Sequence, residues 1–196
     1  MPGWMTSLIG FVPNSVGNPV VDNSPICVNF TVTAGQTTEL SVDNTPPPGG
    51  RALTIGFWKN WSSCSGGKQK PVLDQTLASF PIASGETTHG VYIGDLYVNT
   101  CLEAVRILNK STVTTGAKKA SDPAFNLAAQ LLAAKLNLQA GAGVCPAALL
   151  AINNAQTRLD TLNFNGVTHG TISNALATTL NNLATTIDNY NNNNLC

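Results

Sequence analysis

Charge is scarce in this chain. Only 10% of its 196 residues are Asp, Glu, Lys or Arg, against roughly a quarter in an average globular domain. The 10 basic and 10 acidic residues cancel to a net charge of zero. Nucleic acid is therefore not an expected partner, because phosphate recognition needs a basic face. A polybasic membrane attachment is missing for the same reason. No apolar run reaches the roughly 18–20 residues of a membrane span, so no span is expected either. Met1-Pro2-Gly3-Trp4 lacks the charged start and continuous apolar core of a signal peptide. That points to a mature fragment of a longer chain. Catalytic signatures are missing too. There is no Gly-x-Ser-x-Gly, no His-Glu-x-x-His, no phosphate-cradling loop and no calcium-loop spacing. A non-catalytic protein without cofactor or metal is the expectation.

What is present is apolar and neutral. Hydrophobic residues make up 43% of the chain, enough for a real core. Its polar surface must come from Asn, Thr, Ser and Gln. The five cysteines, Cys27, Cys64, Cys101, Cys145 and Cys196, are widely separated and form no Cys-x-x-Cys pair, which argues against zinc or a thioredoxin-like site. Isolated cysteines fit structural disulfides in an oxidising compartment. The expected location is extracellular or the cell surface, and the odd count leaves one thiol over.

The fold class expected is α+β, with an N-terminal β segment followed by a mainly helical bundle. In residues 1–45, Ile26, Val28, Phe30 and Val32 alternate with Cys27, Asn29, Thr31 and Thr33, the period of a half-buried strand. Ala34-Gly35-Gln36 makes a turn, and Leu40 and Val42 continue a second strand. Residues 46–52, opening Pro46-Pro47-Pro48-Gly49-Gly50, read as a stiff linker with a glycine joint. Residues 53–196 read as a compact domain of about four helices. The first is expected over Gly94–Asn109, with Leu96, Val98, Cys101, Leu102, Val105 and Leu108 on one face. Ser121-Asp122-Pro123 is a helix start with proline in the first turn, and that helix runs to about Leu138. The third opens at Cys145-Pro146 and runs to about Leu162, with Leu149, Ile152, Leu159 and Leu162 as core candidates. The fourth spans about Thr171–Asn191, where Ile172, Leu176, Leu180, Leu183, Ile187 and Tyr190 recur at spacings of three and four. Residues 62–94 read as loop-like, with Val72, Leu73, Leu77 and Phe80 as either a short helix or an ordered loop against the core, and an extended piece at Val91-Tyr92-Ile93.

Aromatics are only 6% of the chain, yet Phe57, Trp58 and Trp61 fall within five positions. Each can bury roughly 150–250 Å². Their stretch, Leu53-Thr54-Ile55-Gly56-Phe57-Trp58-Lys59-Asn60-Trp61, resembles the LTxGYWKNH opening of a module common in secreted bacterial surface proteins. Leu127-Ala128-Ala129-Gln130-Leu131-Leu132-Ala133-Ala134-Lys135-Leu136-Asn137 is similar to that module's LAxQLIAAKLN helix. Leu183-Ala184-Thr185-Thr186-Ile187-Asp188-Asn189-Tyr190-Asn191-Asn192 is similar to its LAxxLDxYNN close. The chain departs at Trp61, where the module has histidine, so no role of that histidine carries over. The resemblance implies a surface context and no activity. Pro2-Gly3-Trp4, Thr33-Ala34-Gly35-Gln36-Thr37 and Val42-Asp43-Asn44-Thr45 look like the final strands of an adhesin B-type β-sandwich repeat, of which about half would be present.

Two uses of the aromatics are open. They plug a helical core, or Trp58 and Trp61 stand exposed as a sugar-stacking platform. The two histidines sit in repeated tripeptides, Thr88-His89-Gly90 and Thr168-His169-Gly170. They are either polar loop residues or a pair meeting as metal ligands or as acid and base. Glu86 with His89 is the one close acid–base pair. The leading function is a structural or adhesive module, the alternative is carbohydrate binding through Trp58 and Trp61, and the third is a hydrolase using His89 or His169.

In an up-down bundle the start of the third helix and the end of the fourth lie at the same end. That puts Cys145 beside Cys196 and leaves Cys64 to pair with Cys101. Cys27 remains unpaired or intermolecular. A segment of two or three strands is marginal alone, and its edges offer unpaired N–H and C=O groups. The segment then either folds back as a small sheet on its own bundle or pairs by strand addition, with a second copy, in the extreme as a filament, or with upstream strands; a glycan is the alternative partner.

Overall fold

The computed structural model describes residues 5–11, 20–21, 28–29, 40–45, 50–66 and 70–196, the first four segments as backbone alone. Cys27 and the Pro2-Gly3-Trp4 and Thr33–Thr37 motifs lie outside the described residues. The chain divides into two compact units, Met1–Pro48 and Gly49–Cys196.

In the first unit the described strands are β1 (Met5–Phe11), β2 (Val20–Val21), β3 (Val28–Asn29) and β4 (Leu40–Thr45). They make two separate antiparallel pairs. β1 pairs with β4 from Met5↔Thr45 to Phe11↔Leu40, with a register shift between Leu8 and Gly10. β2 pairs with β3. The strand expected around Ile26–Thr33 is described only at Val28–Asn29, and the Leu40 strand takes the N-terminal β1 as its neighbour.

The second unit is mainly helical, with one small hairpin. Its elements are α1 (Ile55–Asn60), α2 (Val72–Ser79), β5 (Val91–Ile93), β6 (Leu96–Val98), α3 (Cys101–Leu108), α4 (Pro123–Gln139), α5 (Pro146–Thr161) and α6 (Asn174–Asn191). Six α-helices thus stand among the described residues, where about four were expected. The two extra ones, α1 and α2, are short and depend on tertiary contacts. An isolated helix of their length is unstable in water. α1 is started by Thr54, whose Oγ1 accepts from Phe57 N, and anchored by the buried Trp58. α2 buries Leu73, Thr76 and Leu77, a spacing of three and four.

α4 is the axis of the domain. Asp122 caps it by accepting from Ala124 N and Phe125 N, and proline occupies its first turn. Both features match the start signal in the sequence. Nearly every side chain from Ala124 to Asn137 is buried. Its alanines let neighbours come close, and α6, α5, α3, α2 and α1 all pack on it. α6 is capped by Ser173. It starts later than the expected Thr171, so Ile172 packs on the core from the preceding loop.

Two expectations about the core fail. The helix predicted over Gly94–Asn109 is a hairpin followed by a shorter helix. Gly94 turns the chain at φ 59°, and a Cβ there would stand 2.7 Å from Phe164 O. Both features favour glycine in a tight turn. The pairs Val91↔Val98, Tyr92↔Tyr97 and Ile93↔Leu96 complete the hairpin. α3 then begins at its own capping box, Thr100 with Glu103. On α5, Leu149 faces solvent at 44% exposure. The buried stripe is Ala148, Ala151, Ile152, Ala155 and Leu159, continued by Leu162.

The expected linker, 46–52, is also too long. Gly50 bridges Ala142, and Gly143 N donates to Gly50 O. Ala52 is buried. The helical unit therefore takes in residues at least as far back as Gly50.

The two expected disulfide pairs are present. Cys64–Cys101 ties the loop after α1 to the first residue of α3. Cys145–Cys196 ties the start of α5 to the C-terminus.

Candidate functional site

Three stretches far apart in sequence meet at one buried carboxamide. Asn137, near the end of α4, is 1% exposed. Its Oδ1 accepts from Leu53 N at 2.8 Å and from Trp58 Nε1 at 3.0 Å. Its Nδ2 donates to Leu53 O and to Asn191 Oδ1, both at 2.9 Å. These are all four hydrogen bonds that a carboxamide can make. The chain of bonds continues two turns back along α4 and one turn back along α6. Asn191 Nδ2 donates to Gln130 O and Oε1, and Gln130 Nε2 donates to Asp188 Oδ1. Beside it, Asn193 takes a left-handed conformation at φ 59° and holds both the N–H and the C=O of Ala52.

This network settles the place of the opening aromatics. Trp58 is 0% exposed, with its indole N–H satisfied inside the core. Trp61 is half-buried, and its ring stacks on Phe57 at 5.1 Å and 15°. Phe57 meets Trp58 edge-on at 88°. Trp58 and Trp61 therefore form no exposed platform. Burial of the indole removes it from any ligand, and Phe57 covers a face of Trp61.

The two histidines occupy different neighbourhoods. His89 Nδ1 lies 2.6 Å from Phe80 O. A carbonyl only accepts, so Nδ1 carries the proton and Nε2 is left as an acceptor in the neutral ring. His89 lines a cleft of about 240 Å³ with Asp74, Thr88, Asn99, Leu77 and Cys101. Glu86, its sequence neighbour, instead accepts from the Tyr92 hydroxyl.

His169 bridges two acceptors. Its Nε2 lies 2.8 Å from Asp122 Oδ2 and its Nδ1 lies 2.7 Å from Gly170 O. Both nitrogens must donate, which only the imidazolium does. Partial burial pulls the pKa down, but the Asp122 carboxylate and the Gly170 carbonyl outweigh it and leave the pKa raised. The ring edge also contacts Phe125. His169 thereby clamps the loop before α6 to the residue that caps α4. No group of three or more metal-ligating side chains occurs among the described residues.

Lys135 is the one strongly perturbed amine among the described residues. Its Nζ donates to Tyr92 O at 2.8 Å and Gln156 Oε1 at 2.7 Å. Burial lowers its pKa to about 8, against the opposing pull of Asp160. Its partners tie α4 to the hairpin and to α5, so its role is structural. No helix of the described residues is long and apolar enough to cross a membrane.

No family model matches the chain, and no curated protein or solved structure matches it either.

Proposed function

We propose that this chain is a non-catalytic structural or adhesive module of an extracellular or cell-surface protein. One observation carries the proposal: the three stretches by which the chain resembles a bacterial surface module converge on Asn137 and its buried hydrogen bonds. Residues that complete a core network hold a fold together. The disulfides Cys64–Cys101 and Cys145–Cys196 favour an oxidising compartment, where such bonds persist. The low charge fits a surface that relies on Asn and Thr.

The N-terminal unit adds the means of assembly. Among the described residues each of its strands has a single partner, so each leaves an open edge. A second copy, or upstream strands of a partial adhesin-type sandwich, completes it by strand addition. Sedimentation of the full chain against a version starting at Gly50 tests this. The full chain should associate with rising concentration while the shorter one stays monomeric. Two monomers at the same high concentration would refute assembly. Labelling of intact producing cells with a membrane-impermeant reagent tests the location. Labelled protein with both disulfides intact is expected, and protein protected until lysis would contradict it.

A further inference from the structure

The cleft at His89 is used by nothing described above. Its lining is apolar at Leu77, Ala78 and the disulfide-bonded Cys101, and polar at Asp74, Thr88, His89 and Asn99, the polar wall. The polar groups are already oriented from behind. Asp74 accepts from Ser63 N and Ser63 Oγ. Phe80 O accepts from His89 Nδ1, so in the neutral ring Nε2 is an acceptor with no partner among the described residues. Asn99 Nδ2 donates to Thr88 Oγ1 at 3.0 Å, which leaves the Thr88 proton free to point elsewhere. Among the described residues Asn99 Oδ1 has no hydrogen-bond partner.

Gly90 lets these groups come together. A Cβ at Gly90 would stand 2.6 Å from Val98 O, 2.8 Å from the Tyr97 ring and 2.9 Å from Asn99 Cβ. Only glycine allows the second strand of the hairpin to lie this close, and the close approach delivers Asn99 to the cleft. The same hairpin shows an aromatic pair beside it. Tyr92 is 37% exposed, and its ring lies 4.8 Å from that of Tyr97. Tyr97 OH donates to Thr88 O, which joins the pair to the cleft wall.

The wall is rich in acceptors and carries one carboxylate. An anion is repelled, and a ligand must bring hydrogen-bond donors. A flat apolar face with hydroxyl donors on its rim matches both the tyrosines and the wall. We propose that the cleft formed by Asp74, Thr88, His89 and Asn99 beside Tyr92 and Tyr97 binds a neutral sugar ring. The assignment does not rest on extracellular assembly, because binding is read on the isolated chain.

Titration of the full chain, labelled with nitrogen-15, tests it by NMR. The probes are glucose, galactose, mannose and N-acetylglucosamine, each taken to tens of millimolar, with butylammonium chloride as the cationic comparison. Saturable shifts at residues 74, 88, 89, 92, 97 and 99 are expected with at least one sugar. Asn99→Ala should weaken that sugar about tenfold, the loss of roughly one hydrogen bond to the ligand; Thr88→Ala serves if the first variant loses its dispersed spectrum. The proposal is overturned if no sugar gives saturable shifts, if the shifts fall elsewhere, if both variants bind unchanged, or if only butylammonium binds.

Discussion

Trp58 Nε1 donates to Asn137 Oδ1 at 3.0 Å across 79 residues of sequence, and both residues are buried. That bond joins the opening stretch to the central helix. It explains why an aromatic cluster and a buried asparagine in the central helix belong together: the indole N–H needs an acceptor inside the core, and the asparagine supplies it.

The His169–Asp122 clamp predicts a pH dependence of stability. The folded pKa of His169 is raised above its unfolded value. Its contribution is therefore fully present below the unfolded pKa of about 6.5 and is lost as pH rises through the folded pKa. Urea midpoints should fall across that window. In His169→Gln the fall should flatten, and an unchanged slope in the variant would remove the clamp.

Lys135 predicts the opposite trend at higher pH. A lysine held at about 8 when folded pays its full penalty below that pH. Stability should then rise between about 8 and the unfolded value near 10.4. Nitrogen-15 or carbon-13 titration of the lysine side chains should find one midpoint near 8 and the rest near the ordinary range. A uniform set of midpoints would contradict the buried placement.

The disulfides predict a loss on reduction. Their sequence separations are 37 and 51. Closing a loop of that size stabilises by about 4 kcal/mol in the chain-entropy picture. Replacing Cys145 and Cys196 by serine should lower the unfolding free energy by that order. A cost under about 0.5 kcal/mol would show that the tail is held by Asn193 and its neighbours alone.

Much of the helical unit was legible in the sequence, for reasons that the structure makes specific. Ser121-Asp122-Pro123 announces α4 because its cap and its proline act locally. The disulfide pairing followed from helix order, which survived the added helices. Other features depend on distant partners. Leu96 and Val98 fit a helical face as well as a strand face. Gly94 decides between them only through its turn and its contact with Phe164. On α5 the buried stripe uses alanines, so reading large residues as core misplaced Leu149. Asn137 and Gln130 were readable as a signal: two polar residues seven apart, on a face shared with leucines and alanines, imply buried partners. Which partners they take depends on Leu53, Asn191 and Asp188, and no local rule supplies those. The sugar platform at Trp58 and Trp61 failed for the same reason, since α4 buries Trp58 and Phe57 stacks on Trp61.

Equilibrium urea unfolding of Asn137→Ala, measured beside the parent chain with both disulfides intact, addresses the central claim. The substitution leaves the Leu53 N–H, the Trp58 indole N–H, the Leu53 carbonyl and the Asn191 carboxamide oxygen without their partner. Each buried group left unpaired costs about 1–3 kcal/mol, so a loss of about 3 kcal/mol or more is the predicted result. A loss under about 1 kcal/mol would contradict the account, because one unpaired group alone should cost that much.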